Sequence, residues 1–131
     1  MAGERREVKV AIVGLGRVGS NFFAKLAGRD NLGIKVVAAA ERDENAPGVS
    51  VAKSRGVAVF KTARDIVAMG ESVDIIFDLT GNPDTRRVLR SELARSGNQH
   101  TVLAPEVIAY LLWNLTEEGG EFPGDHRQKG Y

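Results

Sequence analysis

Hydrophobic positions along the chain fall into two spacings that alternate from end to end. Residues 8–13 (VKVAIV) form a short β-branched apolar run that stops at Gly14, and similar short runs occupy 34–40, 57–60, 73–79 and 100–103. Runs of this length and composition predict buried strands. Between them the apolar positions recur at helical spacing. Residues 17–26 place Val18, Phe22, Phe23 and Leu26 on one face, with Gly28 available as a stop. Shorter helical patterns cover 50–55, closed by Gly56, and 62–69, closed by Gly70. A longer one over 84–95 follows Pro83 and runs to Gly97, and a last one covers 105–116.

Strand and helix therefore alternate five times. That order predicts an α/β fold: an open, doubly wound, five-stranded parallel sheet with helices on both faces. Right-handed crossovers leave few arrangements, and the strand order expected is 3-2-1-4-5. Ligands of such sheets bind beyond the carboxyl ends of the strands, where the strand order reverses beside the first strand.

The first strand runs directly into Gly14-Leu15-Gly16-Arg17-Val18-Gly19, a G-x-G-x-x-G at the head of an amphipathic helix. Each glycine has its own physical task. Gly14 permits a tight turn, Gly16 lets a pyrophosphate approach the backbone, and Gly19 lets the helix pack closely on the strand. The helix start offers free N–H groups and the positive end of its dipole to phosphates. The expected ligand is a nicotinamide dinucleotide. Glu41 lies 22 residues after Gly19, at the end of the second strand, where an acid holds the adenine ribose hydroxyls; Asp43 is the second candidate. Glu41 would repel a 2′-phosphate, which favours NAD, whereas Arg42 and Arg17 could pair with one, so NADP stays open. Thr80-Gly81-Asn82-Pro83 forms a polar turn at the same edge, placed to meet the second ribose or the nicotinamide side, with Asn82 also suited to cap the helix behind it.

Composition narrows the alternatives. The 131 residues suffice for one domain. A net charge of +1 gives no electrostatic case for nucleic acid or a membrane surface, and no apolar run approaches a membrane span. The absence of Cys excludes thiolate chemistry, and His100 and His126 have no metal-ligand spacing. The expectation is a cytoplasmic domain over residues 8–116, with loosely ordered, polar segments at 1–7 and 117–131.

These residues resemble the NAD(P)-binding Rossmann half of homoserine, aspartate and acylating acetaldehyde dehydrogenases, through the stretches Val8–Gly19 and Asp74–Pro83. A closer resemblance, carried by DENAPGVSVAKSRGVAVF, VDIIFDLTGNPDTRRVL and AYLLWNLTEE, is to a Rossmann module at the N-terminus of some bacterial sensor histidine kinases. The resemblance implies cofactor binding by Gly14, Gly16 and Gly19, with Glu41 at the ribose and the turn at 80–83 near the cofactor's other half. It implies no catalytic residue: Ala104-Pro105-Glu106 stands where many of those dehydrogenases carry a Lys or Cys. The expected role is a sensing or regulatory module without its own catalytic domain. The alternative is a nucleotide-binding subunit or remnant of a dehydrogenase.

Three further features complete the reading. Arg86, Arg87 and Arg90 are expected on a solvated helix face rather than binding an anion, Asp78 to cap a neighbouring loop or face solvent at the strand end rather than act as a base near the nicotinamide, and His100 to sit at the amino edge, away from the site. In the last helix Val107, Ile108, Leu111, Leu112 and Leu115 span an arc wide enough to cover the sheet. That leaves Tyr110 and Trp113 outward, as anchors for a homodimer or a partner protein along 105–116, the alternative being that Trp113 packs under the C-terminal tail.

Overall fold

The computed structural model describes residues 6–116 and Phe122. Five strands, β1 (Val8–Val13), β2 (Ile34–Ala40), β3 (Ala58–Phe60), β4 (Ile75–Asp78) and β5 (Val102–Ala104), alternate with five helices. The helices are α1 (Arg17–Leu26), α2 (Pro47–Ser54), α3 (Ala63–Val67), α4 (Pro83–Ser96) and α5 (Glu106–Thr116). Every strand pair is parallel and the order is β3-β2-β1-β4-β5, the doubly wound Rossmann-like arrangement expected from the sequence.

β1 occupies the centre because it is apolar on both faces. Val10 and Ile12 face a core shared with Phe22 and Phe23 of α1, while Ala11 and Val13 face a second core with Ile66 of α3 and Leu89 of α4. Phe22 meets Phe77 of β4 edge-on, with ring centroids 4.8 Å apart, which fastens α1 across β1 to its neighbour.

Three elements differ from the sequence pattern, each for a local reason. The second helix starts at Pro47 rather than at 50, because proline's missing N–H costs nothing in a first turn. The last strand is confined to residues 102–104. Asn98 Oδ1 instead accepts from the N–H groups of both His100 (2.9 Å) and Thr101 (3.0 Å), folding 98–101 into a turn.

The third difference is the facing of α5, which is turned relative to the expected arc. Glu106, Ala109 and Trp113 are buried, whereas Val107, Ile108, Leu111 and Leu115 are exposed. Ala109 lets the helix come close to the sheet, and Trp113 fills the space beside α1. There it stacks on Phe122 (centroids 4.6 Å, planes 2° apart) under the ammonium of Lys25, 4.6 Å from its ring. One indole, with aromatic and cationic partners, outweighs the leucines in deciding which face turns inward. Phe122 is itself buried; apart from it and residues 6 and 7, the terminal segments expected to be loosely ordered lie outside the described residues, as does His126.

Candidate functional site

The carboxyl ends of β1, β2 and β4 lie level with one another. Gly14 N–H donates to Ala40 O (2.8 Å), Leu79 N–H to Val13 O (2.8 Å) and Glu41 N–H to Phe60 O (2.9 Å). Above this rim opens a cleft of about 470 Å³, a size suited to a small-molecule ligand. Its floor is Val13, Gly14, Gly16, Ala40 and Leu79. One wall carries Glu41, Arg42 and the start of α3 from Lys61 to Arg64, and the other carries Thr80, Asn82 and the first turns of α4.

The three glycines of the loop occupy distinct physical situations. Gly14 has φ +99°, a conformation that L side chains rarely adopt, and a Cβ there would lie 3.0 Å from the Leu79 carbonyl. At Gly19 a Cβ would fall 1.7 Å from the Gly14 carbonyl oxygen, so α1 packs directly on the turn. At Gly16, the N-cap of α1, a Cβ would meet nothing within 4 Å. No side chain caps α1, and the loop reaches the cleft with its backbone bare.

The other predicted residues divide between cleft and scaffold. Glu41, Arg42, Thr80 and Asn82 line the cleft with Gly14 and Gly16. Leu15 and Val18 are fully buried in the core under the loop, Arg17 is exposed at the helix start, and Pro83 opens α4 behind Gly81, which has φ +65°.

Two carboxylates hold the rim in shape. Glu41 Oε1 accepts from Leu15 N–H at 2.7 Å and Oε2 from Asp43 N–H at 3.0 Å, so the acid ties the tip of β2 to the glycine loop. Each oxygen retains a second lone-pair direction. Asp78 is fully buried and caps the neighbouring turn, rather than facing solvent. Its Oδ1 accepts from Thr80 N–H (3.1 Å) and Thr80 Oγ1 (2.7 Å), and Thr80 Oγ1 in turn accepts from Asn82 N–H (3.1 Å). Asn82 Oδ1 then accepts from Asp84 N–H (2.9 Å), capping α4. His100 lies at the opposite, amino end of the sheet with Asp74.

Two groups of site residues carry little signal in the sequence. The Lys61–Arg64 wall comes from a strand–helix junction that looks like any other. Gly48 lies before the helix that the sequence pattern places at 50–55. Its N–H donates to Leu15 O (3.0 Å), and a Cβ there would press on Ser20 Cβ at 2.9 Å and Leu15 Cβ at 3.0 Å, so α2 butts against the glycine loop. The Pro47-Gly48 pair, a helix start with no side chain, was the available clue.

Fold and cleft together define an α/β protein with a small-molecule cleft at the switch point of a doubly wound sheet. No protein-family profile matches the chain, and no curated protein matches it in sequence. Among solved structures it is similar to homoserine dehydrogenase from S. aureus in crystals at pH 6.0 (16% identity, TM-score 0.47), pH 7.0 and pH 7.5 (each 15% identity, TM-score 0.49). The alignments cover 77–79% of this chain and 32–33% of the dehydrogenase, so the chain spans about a third of its length.

Proposed function

We propose that the chain is a cytoplasmic nicotinamide-dinucleotide-binding module that senses or carries NAD(H) or NADP(H) and passes that state to a second copy or a partner protein. The observation that carries this reading is the open backbone at Gly16. It stands at the uncapped start of α1, facing the cleft, with room where every other residue type would put a Cβ. A pyrophosphate would rest on this turn and the first amides of α1, where free N–H groups and the helix dipole favour an anion.

The adenosine half would lie towards Glu41, whose oxygens are already aimed by Leu15 and Asp43 and still have lone pairs for ribose hydroxyls. The carboxylate disfavours a 2′-phosphate and tips the reading to NAD, while Arg42, Lys61 and Arg64 on the same wall keep NADP within reach. The nicotinamide half would lie towards Thr80, Asn82 and α4, supported by the Asp78–Thr80 relay. The bound nicotinamide supplies hydride chemistry; what this chain supplies is binding and orientation. Glu41, the acid beside the glycine loop, is held in place by two backbone amides with its remaining lone pairs turned to the cleft, an arrangement that suits holding a ligand. That favours a binding role over an acid–base one.

Titration calorimetry with NAD⁺ and NADP⁺ tests this on the wild type and on Gly16→Val. The variant should bind at least about 10-fold more weakly, because the branched side chain fills the phosphate approach. Its urea midpoint should fall only modestly, since a Cβ here meets no protein atom within 4 Å and the main loss is the poorer helix cap, about 1 kcal/mol. Equal affinity in the two proteins would place the ligand elsewhere.

A further inference from the structure

Leu15, fully buried beneath the glycine loop, has both of its backbone groups held from outside that loop. Its N–H donates to Glu41 Oε1 at 2.7 Å, and its C=O accepts from Gly48 N–H at 3.0 Å. Both partners belong to the segment that leads from β2 into α2. That segment is braced from within. Glu41 Oε2 accepts from Asp43 N–H (3.0 Å), Asp43 Oδ1 from Asn45 N–H (2.9 Å), and Asp43 O from Ala46 N–H (3.0 Å). Glu41 and Gly48 are thus two fixed points on either side of one loop residue.

The second point sets the direction of the next amide. Leu15 C=O and Gly16 N–H belong to one planar trans peptide, in which the two groups point opposite ways. The C=O is drawn towards the first turn of α2, so the Gly16 N–H points away from α2. Gly16 lines the cleft, and its N–H has no hydrogen-bond partner among the described residues. We infer that Gly48 is a positioning residue for the dinucleotide site: through Leu15 C=O, its N–H aims the Gly16 amide at the diphosphate. The inference rests on the dinucleotide reading. It adds to that reading a part for α2, none of whose residues lines the cleft.

Closeness, not backbone twist, demands the glycine at 48. Its backbone is ordinary helix, which any residue adopts. A Cβ there would lie 2.9 Å from Ser20 Cβ, 3.0 Å from Leu15 Cβ and 3.1 Å from Leu15 O. All three atoms are fixed to the backbone of the loop or of α1 and have no rotamer by which to yield. A side chain at 48 would therefore push α2 away and lengthen the bond to Leu15 O. Glu41 holds the peptide before Leu15 and faces the ribose, whereas Gly48 acts on the peptide after it and so on the phosphates alone. A change at 48 should cost affinity for phosphate-bearing ligands and spare a nucleoside. A glycine needed only for packing would make no such distinction.

NMR titration of the full 131-residue protein tests this with ADP and adenosine, two probes that differ by the diphosphate. In the wild type the Gly16 amide proton should move downfield with ADP, as a donor to an anionic oxygen does, and stay in place with adenosine. Gly48→Ala should bind ADP about 10-fold more weakly, the loss expected for one misdirected charge-assisted hydrogen bond. Its Gly16 shift should shrink and its adenosine affinity should not change. If Gly48→Ala does not fold, the same substitution is made together with Ser20→Gly, which removes the nearest atom, and is compared with Ser20→Gly alone. A folded variant with undiminished ADP affinity and Gly16 shift overturns the role of Gly48 and leaves the dinucleotide reading standing. Equal losses for ADP and adenosine reduce Gly48 to a packing residue and overturn the inference as well. A wild type that binds neither ADP nor NAD⁺ overturns the dinucleotide reading, and the inference with it.

Discussion

The two ends of one sheet are built to opposite rules. At the amino end the polar groups are spent on the protein itself. Asp74 Oδ2 accepts from Lys9 N–H at 2.8 Å, its Oδ1 meets His100 Nε2 at 2.6 Å, and Thr101 Oγ1 donates to Val73 O at 2.7 Å. These contacts stitch β1, β4 and the approach to β5 together. At the carboxyl end the same strands run into turns whose side chains brace each other while the backbone of the glycine loop faces a cleft. The parallel connections start every α-helix at that end, where α1 and α2 begin without a side-chain cap. The amino end closes the fold, and the carboxyl end holds a shape open.

The sharpest way to break this contrast lies within the glycine loop. Gly19→Ala should cost about 4 kcal/mol or more, or abolish folding, since its Cβ would fall 1.7 Å from the Gly14 carbonyl oxygen and both atoms are backbone-fixed. Urea denaturation beside Gly16→Ala, which should cost no more than about 1 kcal/mol through its poorer N-cap, separates packing from openness three residues apart. If Gly19→Ala were as stable as wild type, the close approach of α1 to the turn would not be what shapes the cleft.

A smaller effect is expected at Glu41. Glu41→Ala removes the acceptor for Leu15 N–H and the ribose-facing charge together, and should weaken NAD⁺ by about 1.5–3 kcal/mol. NADP⁺ should suffer less, because the carboxylate also repels a 2′-phosphate. Calorimetry with both cofactors measures the difference, and a larger loss for NADP⁺ would move the ribose away from this acid.

The smallest effect belongs to the amino end and appears only in acid. The Lys9 N–H bond, followed by the His100 contact, holds the Asp74 carboxyl below the ordinary aspartate value of 3.8. A group lowered in this way stabilises the fold above that ordinary value, and the contribution is lost as pH falls through its own, lower one. Asp74→Asn should therefore flatten the acid limb of stability below about pH 4. Urea midpoints across that range check it, and dinucleotide affinity at neutral pH should not move. A variant that loses the cofactor but keeps the acid limb would mean that the two ends are coupled.

The strand order and the placing of the glycine loop were legible in the sequence because both depend on local patterns: β-branched runs, helical spacing, and glycines at fixed offsets. Asp78 was half legible: its place at the end of an apolar strand allowed a capping role or a solvent-facing one, and only the fold shows Thr80 as its partner. The orientation of α5 was not. Its arc of Val and Leu looks like a core face, and the decision rests on Trp113, Phe122 and Lys25, which meet only in three dimensions. Gly48 was hidden similarly, because its neighbours Leu15 and Ser20 are remote in sequence.

The strand order also bears on how the chain is made. β1 lies between β2 and β4, yet β4 begins at Ile75, fifteen residues after β3 ends at Phe60. During synthesis the first three strands and their helices can assemble while the future β4 side of β1 remains open. At about 5–20 residues per second that apolar, unpaired margin persists for roughly 1–3 s before its partner leaves the ribosome. A nascent chain stalled in this interval would be a half-sheet whose central strand has one edge still unpaired, the kind of edge that invites pairing with another chain.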